Sequence, residues 1–157
     1  MKKTILLALA FMATEVSAAG SIYFSTELTR NGEVVDKFSS YATDGVVFPH
    51  RNVKSMSYSK AIRGGQVVKE DLELGAVSSI TPIIVDDGKI LVRYKVDYVR
   101  LTKLDTTKVG KLTIELPQTE RFTFSNETVI ASGDTITVPD AKNENARYVY
   151  KITAQIQ

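Results

Sequence analysis

Few side chains in this sequence could do chemistry, and the single histidine is the first of them. His50 follows Phe48-Pro49, which places it in an extended or turn segment. Because the chain has no cysteine, His50 could support nucleophilic catalysis only with a serine and an aspartate, and no Gly-x-Ser-x-Gly elbow occurs. One histidine and no cysteine also leave no His-pair or thiolate metal site. We expect a surface or loop histidine, with no metal and no cofactor.

Two short patterns suggest chemistry, but chain turns explain both better. Asp86-Asp87 could be half of an acid pair or a cation site, yet it precedes Gly88 in a predicted hairpin. Gly64-Gly65 lacks the Lys-Ser/Thr that follows in a phosphate-binding loop. The sequence offers no acid–base pair at a recognisable catalytic spacing. It therefore predicts binding or assembly rather than enzymatic activity.

Length and charge narrow the class of protein further. With 157 residues, 43% of them hydrophobic and 24% charged, the chain fits one globular domain rather than a disordered segment. A formal net charge of +2 is too small for a nucleic-acid-binding surface, so we expect no nucleic-acid partner.

The N-terminus has the pattern of a secretory signal peptide. Lys2-Lys3 precede the apolar run of residues 5–12, and Val16-Ser17-Ala18 places small residues where signal peptidase cleaves. This predicts a signal peptide over 1–18 and a single β-rich domain over 19–157. The apolar run is too short to cross a bilayer and no second long run follows, so no transmembrane helix is expected. The predicted location is the periplasm or outer membrane of a bacterium.

Short alternating segments, separated by turn residues, make up the rest of the chain. Three turn signals divide them: Asn31-Gly32, Asp86-Asp87-Gly88 and Ser132-Gly133-Asp134. The predicted strands cover residues 21–29, 33–41, 77–85, 89–101, 111–116, 121–131, 135–138 and 147–156. Pro117 is expected to end the fifth of them, and residues 140–146 read as a polar loop. Only the segments 53–61 and 66–74 could hold a helical turn.

One segment carries the clearest strand pattern. Its apolar residues fall on one face of a strand: Ile90, Val92, Tyr94, Val96 and Tyr98. Its charged residues fall on the other: Arg93, Lys95 and Asp97. Alternation with one apolar face is typical of antiparallel sheets. The predicted fold is therefore all-β, a small antiparallel sandwich or sheet with at most a short helix within 53–74.

The order of turns and strands over residues 74–138 resembles the C-terminal β-module of bacterial secretins, the channels of secretion systems, type IV pili and filamentous phage. The segments that carry the resemblance are Gly75, Ile80-Thr81-Pro82-Ile83-Ile84, Asp87-Gly88, Ile90 to Tyr98, Leu116-Pro117-Gln118-Thr119, Phe122 to Ile130 and Ser132 to Val138. The resemblance implies an exported structural or assembly protein of a secretin-type secretion or pilus complex. It would contact an envelope protein or a second copy of itself, and would be associated with the outer membrane.

The sequence departs from secretins in two places and leaves two alternatives open. Pro139-Asp140 leads into a polar loop where secretins continue with further strands, and the predicted mature chain has little room upstream for their periplasmic domains. A fimbrial or adhesin-like β-sandwich subunit is one alternative. A small outer-membrane β-barrel is the other, although 8% aromatic residues is few for two aromatic girdles.

The last predicted strand is the expected site of interaction with a partner. It follows the polar loop, has strong strand propensity, and carries two charges that would discourage promiscuous pairing. We expect it to be an edge strand that pairs with its partner through Arg147, Tyr148, Val149, Tyr150 and Lys151.

Overall fold

The computed structural model describes residues 20–85, 88–139 and 146–157, and every regular element in them is a β-strand. The strands are β1 (Ser21–Arg30), β2 (Glu33–Thr43), β3 (Phe48–Arg63), β4 (Gln66–Val85), β5 (Lys89–Val109), β6 (Leu112–Ala131), β7 (Thr135–Pro139) and β8 (Tyr148–Ile156). They form two antiparallel sheets. The short sheet has the order β2-β1-β8-β7 and the long sheet the order β3-β4-β5-β6. The all-β antiparallel prediction is confirmed.

The core lies between the two sheets and is built by alternation. The predicted apolar face of β5 is buried from Ile90 to Tyr98, whereas Arg93 and Lys95 are exposed, as the sequence predicted. The short sheet contributes the facing side chains Ile22, Phe24, Leu28, Tyr148, Tyr150, Ile152 and Ala154. Aromatic rings join the two layers, since Tyr148 stacks on Phe122 with centroids 4.8 Å apart.

Residues 53–74, where the sequence allowed at most a short helix, contain only strand and turn. β3 and β4 pair from Phe48↔Ile80 to Arg63↔Gln66 and form one long hairpin. Its turn is Gly64-Gly65, with φ angles of 56° and 76° that a two-residue hairpin turn requires and that glycine adopts without strain. The Gly64-Gly65 turn therefore favours a β-hairpin over a helix in residues 53–74.

Two of the three predicted turns lie between paired neighbouring strands, and the third connects the two sheets. Asn31 and Gly32, at φ 51° and 85°, close the β1–β2 hairpin. β4 and β5 pair up to Val85↔Lys89, while Asp86-Asp87 lies outside the described residues. The turn at Ser132-Gly133-Asp134 does not close a hairpin, because it carries the chain from β6 in the long sheet to β7 in the short one.

Pro117 does not end a strand, contrary to the expectation from sequence. β6 continues through it as one strand of 20 residues, with Pro117 opposite Leu104 of β5. Proline lacks a backbone N–H, so it is tolerated where a strand has a neighbour on only one side. The position of β6 at the edge of the long sheet provides that situation.

The predicted signal peptide (1–18) and residues 140–145 of the predicted polar loop lie outside the described residues, so those expectations stay predictions. Nowhere in residues 20–85, 88–139 and 146–157 does a helix occur that is long and apolar enough to span a membrane.

Candidate assembly edge

The predicted interaction strand does not lie at an edge, so its placement is corrected. β8 lies between β1 and β7, and Val149 is opposite Thr29 on one side and Pro139 on the other. Tyr148 and Tyr150 point into the core rather than to a partner. The sequence reveals strand propensity but not how many neighbours a strand has, because β1 is more than a hundred residues away along the chain.

The residues at the two ends of the predicted site are exposed to solvent, unlike the buried tyrosines between them. Arg147 precedes β8 and is exposed, and its N–H donates to Asn31 Oδ1 at 2.8 Å. Lys151 lies on the outer face of the short sheet, 3.7 Å from Glu27. Whether either residue contacts a partner protein stays a prediction.

Three of the four sheet edges are shortened or interrupted. β7 has only five residues and ends in Pro139. β2 contains a bulge at Val35, which lies between the pairs Leu28↔Asp36 and Thr29↔Val34. β3 places Pro49, which has no N–H, near the start of its edge. Such features are typical of edges that avoid pairing with other chains.

The edge formed by residues 121–131 of β6 has none of these protections. Its pairing with β5 is regular from Lys89↔Ala131 to Val99↔Arg121, without a bulge or a proline. Most of its side chains are exposed, and Val129 is 53% exposed. A long, regular edge of this kind is a template for another β-strand.

Two hydrogen bonds to the end of β4 show in which direction the backbone groups of that strand point. The Ile84 N–H donates to Asp44 Oδ1 at 2.7 Å, and the Pro82 carbonyl accepts from the Gly45 N–H at 2.8 Å. The backbone N–H and C=O groups of even-numbered residues in this part of β4 therefore point away from β5. The same bonds show that the loop at residues 44–45 covers this part of β4.

Backbone groups alternate from one neighbour to the other along each antiparallel strand. The backbone groups of odd-numbered residues in β4 therefore bond to those of odd-numbered residues in β5. Between β5 and β6, the backbone groups of even-numbered residues bond to each other, for example those of Tyr94 and Asn126. The odd-numbered residues of β6 from 121 to 129 consequently direct their N–H and C=O groups away from β5, whereas the Ala131 carbonyl accepts from the Asp134 N–H at 3.1 Å. In agreement, the Glu127 N–H donates to Asn126 Oδ1 at 2.9 Å.

Charged side chains near this edge are paired with β5 rather than directed outward. Arg121 forms a two-pronged ion pair with Asp97, whose carboxylate also accepts from Thr123 Oγ1 at 2.9 Å. Arg121 is the main cause of a lowered pKa at Asp97. Arg93 likewise pairs with Glu127 at 2.8 Å. These side chains support the β5–β6 register and do not bond to the outward backbone groups of Thr123, Ser125 and Val129.

The long sheet divides where β4 and β5 stop pairing. The last pair is Gly75↔Val99, after which residues 53–74 form a first hairpin arm and residues 100–120 a second. Gly75 has a φ of 126°, and a Cβ there would lie 2.2 Å from the Asn52 carbonyl oxygen. Only glycine fits this bend.

A charged cluster joins the second arm to the short sheet. Glu120 accepts two hydrogen bonds from Arg30, at 2.8 and 3.1 Å, and a third from the Tyr148 hydroxyl at 2.7 Å. The Arg30 guanidinium is the main cause of a lowered pKa at Glu120, whereas burial and the bond to Glu120 raise the pKa of Tyr148. All charges are satisfied, so this cluster stabilises the sandwich. Sequence reasoning missed it because Arg30 and Glu120 are 90 residues apart.

His50 belongs to a second inter-sheet contact. Its Nε2 lies 3.3 Å from Asp36 Oδ1, and its ring stacks on Phe38 at 3.7 Å. Asn52 Nδ2 donates to the same buried carboxylate oxygen at 2.8 Å. In the part of the chain that the structure describes, no serine hydroxyl hydrogen-bonds to His50, and no group of three His, Asp or Glu side chains could hold a metal ion. The contacts of His50 therefore indicate a role in packing the two sheets together.

Comparison with known proteins shows similarity in structure only. No protein-family model matches the chain, and no curated protein is similar to it in sequence. Among solved structures, the InvG secretin domain β-barrel from the Salmonella SPI-1 injectisome matches with a TM-score of 0.53 and 12% identity, covering 88% of this chain and 62% of that one.

Two further InvG structures give the same result. In the cryo-EM structure of the Salmonella SPI-1 type III secretion injectisome secretin, the TM-score is 0.53 and the identity 11%, covering 88% of this chain and 61% of that one. In the injectisome basal body proteins InvG, PrgH and PrgK, the values are 0.53 and 11%, covering 88% and 43%. The chain thus spans about three fifths of the length of the first two InvG chains. The chain has a secretin-like β-fold.

Proposed function

We propose that this chain is an exported assembly protein, a component or relative of a secretin-type secretion or pilus complex, and that it joins its complex by β-strand addition at the β6 edge, residues 121–131. The observation that carries this proposal is the regular row of outward-facing N–H and C=O groups on β6. An added strand would satisfy these groups through backbone hydrogen bonds. The secretin-like fold supports the kind of complex proposed.

The partner we propose is a second copy of the chain or another envelope protein that offers a free strand. Strand addition needs only an edge of matching length, and its specificity comes from alternate side chains. On β6 these are Thr123, Ser125, Glu127 and Val129. Contact through a strand edge requires no catalytic group, and we propose that the chain is not an enzyme.

Proline substitutions at two adjacent positions of β6 distinguish a loss of assembly from a loss of folding. Ser125→Pro removes an outward N–H, so the fold should survive while strand addition is lost. Asn126→Pro removes an N–H that points to Tyr94 of β5, so it should destabilise the fold itself. Sedimentation velocity gives the oligomeric state, pull-down of envelope proteins detects another partner, and circular dichroism reports folding.

The matched control is Ser39→Pro on the β2 edge. The Gly20 carbonyl accepts from the Asp44 N–H at 3.0 Å, so even-numbered residues of β1 and β2 face each other and the Ser39 N–H points outward. This variant should fold and assemble like the unmodified protein. Assembly that persists in Ser125→Pro, or that Ser39→Pro abolishes equally, would remove the β6 edge from the proposal.

Export is the second part of the proposal, and the N-terminal residues carry it. The mature protein should begin near Ala19, which N-terminal sequencing of periplasmic or outer-membrane fractions measures directly. Recovery of the protein with Met1 intact from those fractions would contradict cleavage of a signal peptide.

A further inference from the structure

The tips of the two hairpin arms form a cationic surface at one end of the molecule. β3 and β5 both pair with β4 in antiparallel fashion, so the turns at Gly64-Gly65 and Gly110 lie at the same end of the long sheet. The arms also touch, since the Ser59 N–H donates to Glu115 Oε2 at 2.7 Å. Each turn lies within about five residues of this contact, or about 17 Å of strand. Both tips therefore lie at the same end of the molecule, each within about 17 Å of this contact.

The tips concentrate positive charge. Residues 60–69 and 106–114 contain five cations, Lys60, Arg63, Lys69, Lys108 and Lys111, and no aspartate or glutamate. The whole chain has a net charge of only +2, so the rest of it is net negative. Such segregation of charge creates a local positive potential that attracts anions.

Most of these cations are free to meet an external anion. Lys60 pairs with Glu70 at 2.7 Å, but within the described residues no carboxylate lies within ion-pair distance of the other four. All four are exposed. The two glycine turns beside them have open space around them, so no side chain covers the tips.

Apolar side chains lie beside the cations at the tips. Val109 is 50% exposed between Lys108 and the turn at Gly110, and Val67 and Val68 lie half-buried before Lys69. Interleaved basic and apolar groups suit the headgroup region of a bilayer, which offers mobile phosphates above an apolar layer. The arms extend about ten residues, or about 34 Å, beyond Gly75, so the tips can reach a flat surface that the sandwich does not touch.

We propose that the paired arm tips bind the surface of a membrane that contains anionic phospholipid. Arg63, Lys69, Lys108 and Lys111 contact the phosphates, and Val109 enters the interface. The binding is peripheral and electrostatic, so it weakens with salt. It does not depend on the β6 edge, and the Ser125→Pro variant retains it.

The test measures co-sedimentation of the full chain with vesicles of phosphatidylcholine alone and with added phosphatidylglycerol. The unmodified protein should sediment only with the anionic vesicles, and added salt should release it. Neutralising one tip cation should lower the partition coefficient by about fivefold, and the quadruple variant Arg63→Gln/Lys69→Gln/Lys108→Gln/Lys111→Gln should lower it by several hundredfold.

A charge-matched control removes four cations from the sandwich: Lys37→Gln, Lys89→Gln, Lys95→Gln and Lys151→Gln. It should keep most of the vesicle binding, and circular dichroism should show both variants folded. Equal losses in the two quadruple variants would mean that overall charge, not the tips, attracts the membrane. Equal binding to neutral vesicles would overturn the proposal, as would binding of the tips to a soluble acidic peptide but not to vesicles.

Discussion

Two buried tyrosines on β8 offer a matched pair of perturbations. Tyr148 and Tyr150 are two residues apart, both are almost completely buried, and both rings pack in the same core. Their hydroxyls differ. The Tyr148 hydroxyl donates to the Glu120 carboxylate at 2.7 Å, whereas the Tyr150 hydroxyl faces only the neutral hydroxyls of Thr26 and Ser78 and meets neither in regular hydrogen-bond geometry.

Removing each hydroxyl should therefore have a different effect on the free energy of unfolding. A hydrogen bond to a charged group contributes about 1.5–3 kcal/mol, and Glu120 keeps its two bonds from Arg30 in the variant. Tyr148→Phe should thus cost about 1.5–2 kcal/mol, at the lower end of that range. A buried hydroxyl without a well-formed hydrogen bond is itself unfavourable, so Tyr150→Phe should range from neutral to about 1 kcal/mol stabilising.

Urea unfolding followed by circular dichroism measures both effects. The two variants keep the same ring volumes, so their difference of about 2 kcal/mol isolates the hydroxyl contacts. Equal destabilisation by the two substitutions would refute the assignment, because it would mean that the Tyr150 hydroxyl is also satisfied. Burial raises the pKa of Tyr150 to about 12, so neither hydroxyl ionises near neutral pH.

Three further predictions concern the bend, the core strand and acid stability. Gly75→Ala should cost about 2–3 kcal/mol because its Cβ would meet backbone, whereas Gly65→Ala, whose Cβ would meet nothing, should cost about 1 kcal/mol in the same urea assay. Tyr94→Ala should cost about 3–5 kcal/mol as a large-to-small core change, and Arg93→Ala should stay within about 0.5 kcal/mol. The lowered pKa of Glu120 adds stability that is present above its ordinary value of 4.5 and is lost as pH falls through the folded value, so Glu120→Gln should flatten the acid limb of a stability–pH curve.

Local sequence patterns predicted the features that depend on near neighbours. Asn31-Gly32 closes its hairpin because two positive φ angles are a local requirement. The strand from Ile90 to Tyr98 buries the face that alternation assigned to the core. Both features depend only on residues adjacent in the chain.

Features that depend on distant pairing could not be predicted in this way. The terminal strand has the composition of an edge, but β1 and β7 cover it from both sides. Segment 53–74 has weak alternation, and only its turn at Gly64-Gly65 indicates a hairpin. Pro117 within a strand pattern is a local signal of an edge strand, which is the position that β6 occupies.

Amide hydrogen exchange on the assembled protein tests the central claim most directly. In the free chain, the outward N–H groups of Thr123, Ser125 and Val129 should exchange fast, since no strand covers them. Assembly by strand addition should protect these amides and leave the outward amide of Ser39 on the β2 edge fast. Protection of Ser39 with unchanged exchange along β6 would contradict the proposed assembly edge.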